Sequence, residues 1–186
     1  MIASRAYTED MNALALFLSL AAPALAAGSG PDALFAEGKS YFFGRGVAQS
    51  CPLAIKSYEK AAAFGRVEAM RDIGEIYFAG NCVKRDMPKA REWFAKAAAA
   101  GDAQSMTNLG FIYDAGLLDG KRDFAGALPW YRKAAELGQT RAMINLGNMY
   151  RLGDGVPRDR DEALRWFRLA EKKGDREGAR AARELR

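Results

Sequence analysis

Histidine, the side chain that catalytic sites use most often, is absent from this chain of 186 residues, and cysteine occurs only twice. Without histidine there is no Ser-His-Asp triad, no Cys-His pair and no imidazole ligand for a metal ion. The chemistry left to the chain is that of its carboxylates, lysines and serines.

Ser57 and Lys60 match the S-x-x-K pattern, in which a serine nucleophile lies one helical turn before a lysine. The match falls inside a predicted helix, at positions spaced like core-facing residues, and a four-residue pattern of this kind often arises by chance. We therefore expect no catalytic residue and no enzymatic activity.

Three aspartates, Asp86, Asp123 and Asp159, recur at nearly equal intervals along the chain. A row of carboxylates suits Ca²⁺. Each aspartate, however, lies just before a predicted helix, where such a side chain commonly caps the helix N-terminus. Capping is the favoured interpretation, so we expect no metal site and no cofactor.

The spacing of these aspartates is part of a sequence repeat that covers most of the chain. A glycine recurs with spacings of 36, 36 and 37 residues, and each time a tyrosine follows three residues later and a second glycine six residues later. Self-similarity at a fixed period of this length is the signature of a repeat architecture. The first glycines of the four copies are Gly38, Gly74, Gly110 and Gly147.

Each repeat is predicted to form two helices. The first carries small and apolar residues at helical spacing and ends at a glycine-rich turn, and the second begins near a proline such as Pro52 or Pro88. Gly74, Gly110 and Gly147 are expected to leave space for a tyrosine or tryptophan of a neighbouring helix. Such packing would justify a helix-propensity cost of about 1 kcal/mol for each glycine.

The repeat closely resembles the Sel1-like repeat family, which is related to the tetratricopeptide repeats. The fourth copy carries the pattern best, with Leu146-Gly147, Tyr150, Gly153-Asp154-Gly155-Val156 and Trp166-Phe167. The resemblance covers about residues 33 to 176. It implies an all-α fold, a right-handed α-solenoid of four Sel1-like helix-turn-helix repeats with a C-terminal capping helix. It also implies a protein-binding role, with the first helices lining a concave face.

The predicted organisation has three parts: residues 1–26 as a signal peptide, 27–32 as a flexible lead-in and 33–186 as the repeat domain. The repeats are placed at about 33–67, 68–103, 104–140 and 141–176, and the cap at 177–186. An apolar stretch over 13–27 and the sequence Ala24-Leu25-Ala26 are typical of a signal-peptide core and cleavage site. They predict export to the periplasm with no stable membrane span. A translation start at Met11 and a buried helix in this region are the alternatives.

Cys51 and Cys82 fall in turn regions of the first two repeats, Cys82 at the place of a turn glycine. Because stacked repeats bring such turns side by side, an exported chain is expected to form a Cys51–Cys82 disulfide. Closing this loop would stabilise the fold by roughly 3–4 kcal/mol. The alternative is two free thiols in a chain that stays in the cytosol.

The resemblance places three positions of each first helix on the concave face: three before, one after and four after the repeat glycine. These positions differ from copy to copy while the residues around them repeat, as expected of a binding surface. The predicted protein-binding residues are Phe42 in the first copy, Arg71, Glu75 and Phe78 in the second, Thr107, Phe111 and Asp114 in the third, and Ile144, Asn148 and Arg151 in the fourth.

The aromatic members of this set are the expected anchors for a partner. The alternative is that each phenylalanine packs against the next repeat's helix. The tryptophans at one position of the second helix are expected in the core and not in a ligand cage: Trp93, Trp130 and Trp166.

The function predicted from the resemblance is non-catalytic binding of a protein partner by a periplasmic chain that is expected to be a monomer. The first candidate is an immunity protein that neutralises a periplasmic toxin effector such as a phospholipase. The alternatives are a regulator of an envelope sensor kinase, an envelope-assembly scaffold and a β-lactam-binding hydrolase-like protein, because some exported members of the family bind β-lactams.

Charge favours a protein partner over a nucleic acid. The 28 basic and 23 acidic residues are interspersed, without the basic blocks typical of nucleic-acid binders. The net charge is +5 and becomes +6 if residues 1–26 are removed, since 27 basic and 21 acidic residues remain. This mild excess predicts an acidic patch on the partner.

Overall fold

The computed structural model describes residues 30–80 and 82–185, and over these residues the chain forms nine α-helices and no strand. The helices are α1 (Pro31–Phe43), α2 (Cys51–Ala63), α3 (Val67–Ala79), α4 (Met87–Ala99), α5 (Ala103–Asp114), α6 (Phe124–Glu136), α7 (Thr140–Leu152), α8 (Arg160–Lys172) and α9 (Arg176–Glu184). Four helix pairs are followed by one unpaired helix. The predicted all-α repeat fold with a capping helix is therefore confirmed.

The aspartates before the second helices are N-caps, as the sequence predicted. Their carboxylates accept a backbone N–H three residues later, at 3.0 Å for Asp86, 2.8 Å for Asp123 and 3.0 Å for Asp159. Such a bond satisfies one of the donors that a helix N-terminus leaves unpaired. The recurring aspartates thus cap the N-termini of α4, α6 and α8.

The first helices end at glycines that take a left-handed conformation. Gly153 ends α7 with φ of 84°, and its N–H donates to the carbonyl of Met149 at 2.8 Å. The third copy differs, because α5 is followed by Ala115 in a right-handed conformation and the left-handed residue is Gly116, with φ of 64°. The extra residue of this copy lies in the turn after α5, where loops tolerate insertion.

The described helices fall into two compact units, α1 and α2 on one side of the boundary between Phe64 and Gly65, and α3 to α9 on the other. In the first unit the Tyr58 ring lies against Gly38, and its centroid is 5.6 Å from that of Phe35. In the second unit each helix packs against the next along the chain, and α9 also contacts α7. This nearest-neighbour stacking is typical of solenoids.

Each repeat glycine lies under an aromatic ring of its own repeat. A methyl group at Gly74, Gly110 or Gly147 would lie 2.6–2.7 Å from atoms of Phe94, Tyr131 or Phe167. The prediction that these glycines make room for a ring is therefore confirmed. The ring comes from the tyrosine or phenylalanine position of the second helix and not from a tryptophan.

The tryptophans lie one residue before these rings and are half-buried at the edge of the core. Trp130 and Trp166 pack against the core cluster of the second unit. Cations lie over their outer faces, with the Lys96 Nζ 3.9 Å from the ring centroid of Trp93 and the Lys133 Nζ 5.6 Å from that of Trp130. The tryptophans thus form the rim of the core, and the fully buried rings are their neighbours.

Candidate functional site

A groove of about 770 Å³ runs across the second unit, over α3, α5, α7 and the first turn of α9. Helix α5 contributes a stripe at helical spacing: Gln104, Thr107, Asn108 and Phe111. Of the predicted binding residues, Phe78, Thr107, Phe111 and Ile144 line this groove. The first helices of the second, third and fourth repeats therefore line one depression.

A smaller depression of about 360 Å³ lies between α7 and α9 and shares Ile144 and Glu177 with the larger one. It contains Asn148 and Arg151, two more of the predicted residues. The Asn148 side-chain oxygen accepts from the Arg151 guanidinium at 3.0 Å, so these two side chains orient each other. Six of the predicted residues thus line two adjoining depressions.

Phe78 and Phe111 form the aromatic end of the large groove. Their ring centroids are 6.1 Å apart in an edge-to-face arrangement, and Phe78 also lies 6.2 Å from the buried Phe94. Phe111 is 44% exposed, so a large part of its surface is accessible to a ligand. Phe78 therefore packs against the core, whereas Phe111 lies at the surface of the groove.

Two predicted residues are buried in the floor of the groove. Thr107 is 2% exposed and its hydroxyl donates to the carbonyl of Ala103 at 2.9 Å, while Ile144 is 5% exposed. Neither can offer a large contact area. They shape the floor of the groove instead.

Arg71 and Glu75 join the first helices of the second and third repeats. The Arg71 Nη1 donates to the Asp102 Oδ2 at 2.7 Å, and Asp102 in turn caps α5. Glu75 accepts from the Gln104 amide at 2.8 Å. Burial raises the pKa of the Glu75 carboxyl above its ordinary value, although Arg71 acts in the opposite direction. The side chains of Arg71 and Glu75 therefore link the second repeat to the third.

Asp114 makes its hydrogen bonds within its own repeat. It accepts from the Arg122 Nη2 at 2.7 Å and from the Tyr131 hydroxyl at 3.3 Å. Burial and the nearby Asp114 carboxylate raise the pKa of Tyr131 above its ordinary range, so the hydroxyl keeps its proton and donates it. Asp114 thus holds the turn after α5 and does not line the groove.

Phe42, the predicted residue in the first copy, belongs to the first compact unit and is half-buried there. Its ring lies edge-on to Phe43, with centroids 4.9 Å apart. The Ser57 and Lys60 pair is in the same unit. Ser57 is only 5% exposed and Lys60 points to the surface, so the two do not form an accessible nucleophile and base.

Several groove residues were not predicted from the sequence. Gln104 and Asn108 lie six and two residues before the repeat glycine Gly110, and Asn145 lies two before Gly147. The helical rule of i, i+3, i+4 and i+7 would have found Gln104 and Asn108 from Phe111, and Asn145 from Asn148. The other missed residues come from the starts of α7 and α9: Gln139, Thr140, Arg141, Asp175 and Glu177.

Both cysteines are disulfide-bonded, and the described residues contain no free thiol. The predicted disulfide is therefore confirmed. Within the described ranges no helix has the length and apolar character needed to cross a bilayer. The predicted signal peptide at 1–26 lies outside the described residues.

Comparison with known proteins matches the family described as Sel1 repeat at residues 31–63, 67–102, 103–139 and 140–175. No curated protein gives a significant match. Among solved structures, a protective antigen with an SLR fold, present in uropathogenic Escherichia coli strains, is 36% identical with a TM-score of 0.74. The match covers 80% of this chain and 32% of that one.

Two further structures show the same repeat fold. A Sel1 repeat protein from Oxalobacter formigenes is 31% identical with a TM-score of 0.72, over 81% of this chain and 59% of that chain. An immunity protein from Pseudomonas aeruginosa is 22% identical with a TM-score of 0.52, over 77% of this chain and 53% of that chain, a likeness that shows the fold alone. This chain thus spans about one third of the E. coli protein and three fifths of the O. formigenes protein.

Proposed function

This chain belongs to the Sel1 repeat family, and on that premise we propose that it binds a partner protein in the groove of α3, α5, α7 and α9. The observation that carries the proposal is the groove itself. It is large enough for several side chains, and it pairs an exposed aromatic, Phe111, with polar groups from α5, α7 and the start of α9. Binding interfaces characteristically combine an aromatic anchor with such a polar surround.

We place this binding in an oxidising compartment, the periplasm. The disulfide state of Cys51 and Cys82 supports it, because structural disulfides persist outside the reducing cytosol. The predicted signal peptide over residues 1–26 is the route of export in this proposal. The chain needs no reacting group for the role, and its S-x-x-K serine is buried.

The specific role that we propose is neutralisation of a toxin effector delivered to the same compartment. Blocking a toxin requires binding alone, which is what the groove offers. A regulator of an envelope sensor kinase would use the same groove. The identity of the captured partner separates the two roles.

The test is capture of proteins from an envelope extract by the immobilised chain and by Phe111→Ala. We expect the variant to lose the specific partner, because alanine removes the exposed ring that contacts it. The matched control is Phe64→Ala, which removes another exposed ring, 64% exposed and outside the groove, at the end of α2. Mass spectrometry identifies proteins retained by the wild type and by Phe64→Ala but lost by Phe111→Ala.

Circular dichroism of each variant confirms that the helices remain. If the same proteins are captured with Phe111→Ala at wild-type yield, the groove is not the binding site.

A further inference from the structure

We propose that the segment of the partner that enters this groove is extended and positively charged, with a lysine or arginine held between the aromatic pair and the start of α9. The inference rests on the proposed function and specifies the chemistry of its partner. It follows from which polar groups of the groove are already used by the protein and which are left for a ligand.

Two carboxamides of the groove present an acceptor. The NH₂ group of Gln104 donates to the Glu75 carboxylate at 2.8 Å. The side chain of Asn145 donates to the Tyr131 hydroxyl, whose own proton goes to Asp114. An NH₂ group carries two hydrogens, so each of these amides keeps its carbonyl oxygen and one N–H for a ligand.

Two carboxylates lie at the far end of the same groove. Asp175 accepts the N–H groups of Glu177 and Gly178 through one oxygen, Oδ1, which leaves Oδ2 without a bond to those amides. The Glu177 side chain lines the groove beside it. Against these two acids the groove lining has one cation, Arg141. The groove therefore offers acceptors and negative charge within a chain whose net charge is +5.

The aromatic end suits the same ligand. Phe78 and Phe111 present ring faces and edges, and a cation over a ring face is attracted by the ring quadrupole. The chain already uses this contact, since the Arg85 guanidinium lies 5.8 Å from the Phe78 centroid. An anionic side chain would be repelled by the carbonyl oxygens, the two carboxylates and the electron-rich ring faces, and Arg141 is the one cation of the groove lining that would attract it.

An extended chain matches the spacing of these groups. Neighbouring packed helices lie about 8–10 Å apart, and an extended peptide advances about 3.3 Å per residue. Asn108 of α5 and Asn145 of α7 hold equivalent positions in their repeats and line the same groove, so an extended strand that crosses the groove would meet one carboxamide after the other. Carboxamides pair well with the N–H and C=O groups that such a strand carries.

The net charge predicts the opposite partner, an acidic one. The charged and polar groups of the groove determine which charge it prefers in a ligand, because charges farther apart than a Debye length of about 8 Å are largely screened at physiological salt. The carboxylates and carbonyl oxygens of the groove lie closer to its occupant than most of the basic surface does.

The experiment uses the oxidised full chain and two labelled peptides of about nine residues. One carries two lysines around a central leucine in a Gly-Ser background, and the other has glutamates in their place. Fluorescence anisotropy should show binding of the lysine peptide and at least about tenfold weaker binding of the glutamate peptide, as expected for two charge-assisted contacts. Equal or tighter binding of the glutamate peptide would overturn the inference.

The chain offers a matched pair of variants. Asp175→Asn with Glu177→Gln removes both groove acids, and asparagine can still cap α9. Asp159→Asn with Asp161→Asn makes the same charge change at the equivalent positions of α8, outside the groove. We expect the first pair to weaken lysine-peptide binding about tenfold, the second pair to leave it unchanged, and Arg141→Gln to strengthen it.

Equal loss in both pairs would mean that overall charge alone decides binding, and the inference would be wrong. Equal competition by spermidine would likewise exclude a peptide-specific site. Partner capture separates this inference from the proposed function. If capture depends on Phe111 but not on Asp175 and Glu177, the groove binds a partner of other chemistry; if it depends on neither, the proposed function fails first.

Discussion

The contact that recurs most faithfully in this molecule is a single glycine against a single ring. In the fourth repeat an added methyl at Gly147 would lie 2.7 Å from the Cε1 of Phe167, well inside van der Waals contact. Both residues are fully or nearly fully buried. The helix gives up the propensity of alanine at this point because the ring occupies the space.

Gly147→Ala should therefore lower the free energy of unfolding by about 1–3 kcal/mol, although alanine is the better helix former. Urea unfolding measures the change. Phe167→Leu gives the second arm of a double-mutant cycle, since a smaller side chain leaves space for the methyl group. The double variant should lose less than the sum of the single variants, and strict additivity would contradict the ring contact.

The sequence was sufficient to identify these glycines but not the rings over them. Trp166 and Phe167 are adjacent, both are aromatic and both recur in every complete copy or nearly so. One residue turns a side chain by about 100° around a helix, which is enough to move it from the core to its rim. Only the packing of α7 on α8 decides which of the two rings is buried.

At the scale of the helices, α3 and α5 are linked by polar contacts: Arg71 with Asp102 and Glu75 with Gln104. Burial raises the pKa of Glu75, so the folded state favours its protonated form. The stability that this group contributes is fully present below its unfolded pKa, and it is lost as the pH rises through the folded value. At neutral pH the ionised carboxylate opposes folding.

Glu75→Gln should therefore raise the free energy of unfolding relative to the wild type at pH 7, and the gain should shrink near pH 4, where most Glu75 side chains are protonated in both states. Glu92 provides a control of opposite sign, because a hydrogen bond from Lys96 lowers its pKa. Glu92→Gln should lose stability at pH 7 and lose less near pH 4. Parallel urea titrations at the two pH values measure both; a pH-independent effect of Glu75→Gln would rule out the burial argument.

The sequence located the first helices as the groove and placed Phe78, Thr107, Phe111 and Ile144 along it, but it did not find every lining residue. Asp114, one of the predicted positions, turns to Arg122 and Tyr131 of its own repeat. Further lining residues lie toward the start of each helix, at Gln104, Asn108 and Asn145. Contacts with the turn that follows a helix claim its last residues, and a repeat pattern alone does not show such contacts.

At the scale of the whole chain, the disulfide is the one covalent link between distant positions. Replacing Cys51 and Cys82 by serine should lower the free energy of unfolding by roughly 3–4 kcal/mol, because the unfolded chain regains the freedom of the open loop. Urea unfolding with and without dithiothreitol measures this. Reductant should destabilise the wild type and leave the serine variant unchanged; an equal response of both would show that the disulfide is not the cause.

The two cysteines occupy positions that recur in the other repeats. The third and fourth repeats show how close these two positions lie. Phe124 begins its second helix as Cys51 begins α2, and Gly155 occupies the place of Cys82 in its turn. The Phe124 Cβ would lie 2.7 Å from a methyl at Gly155. At this junction of the second unit, a side chain at the first position thus lies beside the second position. The sequence prediction of the disulfide rested on the same repeat register.

The groove draws its walls from helices of successive repeats and its acidic end from α9. The length of the groove therefore depends on the number of repeats. A chain with one more repeat before α9 would separate the carboxylates of Asp175 and Glu177 from Phe111 by a further helix spacing, about 10 Å. In such a family, we expect gain or loss of a repeat to change which partners bind, because it changes the distance between two anchor residues with no change in any contact residue.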